Sequence, residues 1–186
     1  MNDALKYKLD NKGIAAFVVG VLLMCLISYA VYRDTFVIQE TSRNVMLEVI
    51  VLIVAALFGT RAGVLTAFIG VICATVACGY SVVFSDAIAF SILAIIIGWF
   101  ADRYGIRENG FTIKNMVLFN LTHIMALISA FIFVKPLLDH IIYENKSLYV
   151  GVENGIKVGS ICALFVGAIL TILFFLLSKL IAYVKS

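Results

Sequence analysis

Residues 13–32, GIAAFVVGVLLMCLISYAVY, run for 20 positions without a charged side chain. Crossing the hydrocarbon core of a bilayer takes about 20 mostly apolar helical residues. No water is present at that depth to satisfy a bare backbone, so a continuous run of this length crosses as a helix. The other spanning solution, a closed barrel, needs strands of about 10 residues with alternating polarity, and this run does not alternate. Lys6, Lys8 and Lys12 precede it in the manner of a signal peptide. The run is long for such a signal, however, and no clean small-x-small cleavage site follows it. It reads as an uncleaved first span.

Working outward, five further apolar runs follow: 45–58, which borrows residues back to about 41 to reach spanning length, then 62–78, 84–101, 113–136 and 156–182. With 13–32 these make six spans in one membrane domain covering 1–186. The whole chain agrees: 63% of its 186 residues are hydrophobic, 13% are charged and one is Pro, with mean hydropathy +1.11. Soluble domains average roughly 45–50% apolar and about 25% charged. This composition excludes a soluble enzyme core, a disordered chain and a nucleic-acid binder. The fold class predicted is an all-α integral membrane protein, a bundle of six transmembrane helices, multi-pass, with the lipid bilayer as its solvent.

Six spans put both termini on one side. With that side cytoplasmic, inner segments carry nine of the 14 Lys and Arg: Lys6, Lys8, Lys12, Arg61, Arg103, Arg107, Lys114, Lys179 and Lys185. Arg33, Arg43, Lys135, Lys146 and Lys157 lie outside. The positive-inside rule therefore favours cytoplasmic termini. On the inner face, 59–61 is a tight turn and 102–112 a polar loop whose Thr112 suits a helix cap. On the outer face, 33–44 and 137–155 are long and mix polar, aromatic and aliphatic residues. They are either solvated connectors or loops that fold over a pocket.

Chemistry-bearing motifs are missing from the sequence. It has no GxxxxGK[ST] phosphate loop, no HExxH and no GxSxG, and no span carries the chain of acids and histidines a proton relay would use. The cysteines, Cys25, Cys73, Cys78 and Cys162, sit inside apolar runs without zinc-ligand spacing. The expectation is therefore binding or passage, with no catalytic residue, no cofactor and no metal. Two seams of small residues stand out. Ala16 and Gly20, with Gly13 and Ala15 beside them, make one; Gly59, Gly63, Ala67 and Gly70 make the other. Such stripes let helices approach closely in lipid, either within the bundle or against an external partner.

The run FGTRAGVLTAFIG, Phe58–Gly70, followed by Gly79 and Tyr80, resembles the join between the second and third spans of substrate-binding (S) components of energy-coupling factor (ECF) transporters. GWFADRYGI at 98–106 also fits the riboflavin-transporter-like group of that family. So do the helix start with Phe111, Thr112, Lys114 and Asn115, then Phe119 and Asn120, and Pro136 with LLDHIIYEN beyond. Thr60 replaces a common proline, Arg61 is an unusual charge and Ala67 stands for a frequent glycine.

The resemblance implies an S-component-like six-helix bundle in a bacterial plasma membrane that binds a scarce micronutrient near its outer face. It also implies docking, through a small-residue patch where Ala16 and Gly20 stand, onto a transmembrane scaffold (T) subunit carrying two cytoplasmic ATPases. The small-molecule ligand expected is a vitamin-like or other ring compound. Haem as the substrate is an alternative, and so is a self-sufficient small secondary transporter or channel.

On this topology the candidate ligand contacts are Tyr29, Tyr32, Arg33, Arg43, Asn44 and Glu48 from the first outer loop and its flanks. Tyr80 and Asp86 come from the entrance to spans three and four, and Lys135, Tyr149, Asn154 and Lys157 from the last two spans. Tyrosines grip flat rings, and arginines pair with carboxylate or phosphate. Glu48 should point inward, because a carboxylate facing lipid is costly; it contacts ligand or pairs with Lys157 or Arg43. Asp86 also suits a helix N-terminus, and Lys135 can snorkel. His123, mid-membrane, is a buried hydrogen-bonded side chain, or an iron ligand together with His140 if the ligand is haem.

Overall fold

The computed structural model describes residues 10–32, 40–79, 82–106, 111–143 and 147–185, with side chains described for 10–30, 43–79, 82–106, 111–143 and 147–176. Arg33 and Tyr80, and the side chain of Tyr32, lie outside that set. Among the described residues the protein is all helical, without a strand. The elements are α1 (Asn11–Tyr32), α2 (Glu40–Phe58), α3 (Thr60–Ala77), α4 (Phe84–Arg103), α5 (Ile113–Leu127), a π-helical segment (Ile128–Val134), α6 (Lys135–Ile142) and α7 (Leu148–Lys185).

Among the described residues five stretches are long and apolar enough to cross a membrane: Asn11–Ala30, Thr60–Ala77, Phe84–Arg103, Ile113–Ile142 and Leu148–Leu176. The chain is therefore built as a multi-pass membrane protein. α2 is a 19-residue helix carrying Arg43 and Glu48, and it packs among α1, α3, α4 and α7.

Successive long helices alternate in direction, as their close approaches show. At the α2–α3 join Gly59 adopts φ 109°, a conformation only glycine takes without strain. The next helix then returns so close that a Cβ on Gly63 would lie 2.4 Å from that of Ala55. Thr60 touches Gly98 of α4 in the same way. α1 runs parallel to α3, with Gly20 against Thr66 and Met24 against Gly70. The second small-residue seam is thus internal packing. Gly20 of the first seam also faces α3, while Ala15 is exposed and Ala16 half-buried.

Membrane interiors leave hydroxyls no solvent, and these helices satisfy them locally. Thr66, Thr75, Ser91 and Ser129 each donate to the carbonyl four residues earlier, at 2.7–2.9 Å.

Two sequence expectations about the last helices are corrected. The fifth helix does not stop at Pro136, and 137–155 is not one long loop. The rod of α5, π segment and α6 runs through to Ile142, and α7 begins at Leu148. Proline ends a helix because its ring meets the carbonyl four residues back and it lacks an N–H. Here the seven residues Ile128–Val134 widen to π geometry just before Pro136, which accommodates both defects. α7 packs directly on the widened turn, where a Cβ on Gly155 would be 2.1 Å from the Phe131 carbonyl oxygen. The cap expected at Thr112 is present: its side chain accepts from the Asn115 N–H at 3.3 Å.

Candidate functional site

The bundle has two ends. The near end holds the start of α1, the α2–α3 turn and the start of α5. The far end gathers the starts of α2, α4 and α7 with the whole of α6. Most polar side chains singled out from the sequence collect at the far end or one to two turns below it.

One hydrogen-bonded group there is built on α4 and α6. Lys135 Nζ lies 2.7 Å from Asp86 Oδ1 and 3.1 Å from Asp139 Oδ2. Ser85 Oγ donates to the other oxygen of Asp139, and the Phe84 N–H donates to the Tyr143 hydroxyl at 3.1 Å. Ser85 and Asp139 are buried, and Lys135 is about one-quarter exposed. Lys135 therefore does not snorkel to the surface. It clasps the first turn of α4, where Asp86 also complements the helix dipole. The sequence signal for Asp139 was available, since it sits one turn after Lys135. Its meeting with Ser85, 54 residues away, was not.

Deeper, eight residues and so about 12 Å along α2 from its start, Glu48 points inward and is wholly buried. Its partner is neither Lys157 nor Arg43. His123 Nε2 of α5 lies 2.5 Å from Glu48 Oε1, with both side chains at 0% exposure. The thiol of Cys162 on α7 interacts with the same carboxylate. Neither Glu48 Oε2 nor His123 Nδ1 has a conventional hydrogen-bond partner. One turn nearer the start of α5, Asn120 donates to Met116 O at 2.9 Å and to Thr171 Oγ1 at 2.8 Å. Gly167 lets α7 approach this amide, because a Cβ there would come within 2.7 Å of Asn120 Oδ1.

The pairing offsets the burial of both groups, since an ionisable side chain out of reach of water is costly unless it is paired. In this arrangement His123 Nε2 is held by Glu48 and the ring is enclosed. His140 is exposed on α6. Among the described residues no group of three or more His, Cys, Asp or Glu has the geometry to hold a metal ion.

Below the polar island the core turns aromatic. Phe119 stacks near His123, with ring centroids 6.0 Å apart. It also packs with Phe100, Phe111 and Phe174 at 5.6–6.1 Å. This cluster lies in the near-end half of the bundle, where α4, α5 and α7 meet.

The remaining candidates do not converge on one point. Arg43 and Asn44 are half-buried near the start of α2, and Arg43 Nε has no hydrogen-bond partner. Tyr29, Tyr149 and Asn154 are exposed. Lys157 pairs with Glu153 one turn earlier on α7, at 2.7 Å. Ala16 and Gly20 lie on the near-end half of α1. There, with Ala15, Val19 and Leu23, they form one wall of an apolar groove of about 450 Å³. The other wall is Ile50, Ile53, Val54 and Phe58 of α2.

Residues 8–180 match the family model described as ECF-type riboflavin transporter, S component. The chain belongs to this family. It is a family of transporter subunits rather than of enzymes. Among curated relatives, a UPF0397 protein of Lactobacillus helveticus (strain DPC 4571) is 33% identical over 119 residues, 62% of this chain and 64% of that protein. A UPF0397 protein of Clostridium perfringens (strain SM101 / Type A) is 35% identical over 108 residues, covering 56% and 58%. One from Staphylococcus aureus (strain Newman) is 28% identical over 95 residues, covering 51% and 52%. The chain thus spans between half and two-thirds of the length of the curated relatives it matches. No solved structure matches.

Proposed function

We propose that this S component is the substrate-specificity subunit of an ECF-type importer in a bacterial plasma membrane. It forms a single membrane domain of six spans, α2 being the sixth, with both termini in the cytoplasm. The far end then faces outward and binds a scarce, ring-containing, vitamin-like micronutrient. The near end faces the cytoplasm and docks a transmembrane scaffold subunit with its two ATPases. The observation that carries this reading is the family match across residues 8–180.

The arrangement of the bundle supports it. Arg43 and Asn44 of α2 and Tyr149 and Asn154 of α7 lie toward the far end, where a ligand arriving from outside would meet them, and Asp86 lies beside Lys135 at the start of α4. Glu48 is the deepest candidate contact. The α1–α2 groove places Ala16 and Gly20 on a recessed apolar strip at the near end, where a scaffold helix can approach closely. The aromatic cluster on Phe119 favours a binding subunit over a self-sufficient channel, since a channel needs a polar path through both halves of the bilayer.

Two measurements test the proposal. Mass spectrometry of the small molecule that copurifies with the chain, followed by thermal stabilisation with riboflavin, thiamine, pyridoxine and haem, is expected to single out one ring compound. Uptake into liposomes should then require scaffold and ATPases. Ion-gradient-driven uptake by the chain alone would overturn the reading.

A further inference from the structure

The groove between α1 and α2 carries a second meaning, independent of the importer reading. Its α1 wall runs from Lys12, at the start of the helix, to Leu23. The rise from Lys12 to Leu23 is about 17 Å, close to half of the ~30 Å hydrocarbon thickness. The α2 wall, Phe58 to Ile50, rises about 12 Å alongside it. The recess is therefore one leaflet deep, apolar throughout its length, and has a cation at its membrane-surface end. A lipid chain calls for a slot of this depth, with a positive charge at headgroup level to meet its phosphate.

We propose that in the free subunit this groove holds one acyl chain of an anionic phospholipid, with the phosphate on Lys12. Ala15 and Ala16 make the slot: their methyl side chains leave room that the bulky residues elsewhere on the surface of α1 would fill. The lipid covers the apolar walls and holds the place until a protein partner displaces it. This last step rests on the docking reading above; the lipid site itself does not.

The test uses the full chain in detergent micelles, titrated with palmitoyl-oleoyl phosphatidylglycerol or the matching phosphatidylcholine and read by native mass spectrometry. One phosphatidylglycerol is expected to be retained in preference to phosphatidylcholine. Lys12→Glu should lower its retention about fivefold, the order of effect of one basic residue at an anionic membrane surface. Lys114→Glu, at the same end on α5, should leave it unchanged. Ala16→Phe should lower retention of both lipids by filling the slot, with thermal melting showing that the variant is folded. If Ala16→Phe fails to fold, the surface pair Lys12→Glu and Lys114→Glu carries the test alone. Equal retention of the two lipids with no response to Lys12→Glu overturns the proposal. Lipid-free dimers that Ala16→Phe dissociates also overturn it and make the groove an interface between copies.

Discussion

α1 and α4 are nearly the same length, 22 and 20 residues, and both are strongly apolar, yet they occupy opposite situations. Only 22% of the spanning part of α1 is buried in the bundle, against 61% for α4. The greasier helix is the one on the outside. In water the reverse would hold, because burying apolar surface drives folding. In lipid that drive is absent between helices, and small residues and polar contacts decide which helix goes inside. α4 buries Ala87, Ala89, Ala94, Gly98 and Ala101 with Ser85 and Ser91. α1 turns Val18, Val19, Leu22, Leu23 and Leu26 outward.

The sharpest way to break this contrast is to attack the polar centre. Glu48→Ala or His123→Ala leaves the other group buried and unpaired, and should cost about 3–5 kcal/mol. The loss would be read as a fall in the thermal midpoint of the protein in detergent. Replacing both with Leu and Phe of similar bulk should recover much of the loss. If each single substitution is silent, the pair does not hold α2 to α5.

Steric crowding tests the internal seam next. Gly63→Val places a side chain into Ala55 and should cost about 1–3 kcal/mol, whereas Leu22→Val on the lipid face of α1 should change the melting by under about 0.5 kcal/mol. Equal effects would erase the distinction between inner and outer helices.

The far-end clasp is more exposed and should matter less. Lys135→Met removes both ion pairs and, discounted for its partial exposure, should destabilise by about 1 kcal/mol, an effect that shrinks as salt is raised. A loss of several kcal/mol would mean the clasp holds the π segment in place. Thr112→Ala should cost about 1 kcal/mol or less, since its capping bond is long. Hydrogen exchange at the Asn115 amide would report that loss locally.

Local signals in the sequence were readable in proportion to how few residues they involve. The apolar runs foretold the helices because crossing a bilayer is a matter of length. Gly59 and Thr112 foretold a turn and a cap because each acts on its own backbone. The inward direction of Glu48 followed from the cost of exposing a carboxylate to lipid. The identity of its partner did not follow, because His123 is 75 residues away. Two helices must take up one particular rotation about their axes before those side chains meet. Pro136 misled for a related reason: its local effect is to stop a helix, and only the neighbouring α7, with Gly155 against the widened turn, makes the continued rod compact.

By itself, then, the sequence determined the class of molecule. Long uncharged runs have one stable form where water is missing, and that conclusion needs no knowledge of which helix touches which. The tertiary structure decided the rest: that the more apolar of α1 and α4 lies outside, that Glu48 meets His123, that Lys135 is shared between Asp86 and Asp139, and that α1 and α2 part to leave a slot. Each depends on helix rotation and offset, which side-chain contacts between distant segments fix and a linear run of hydropathy does not encode.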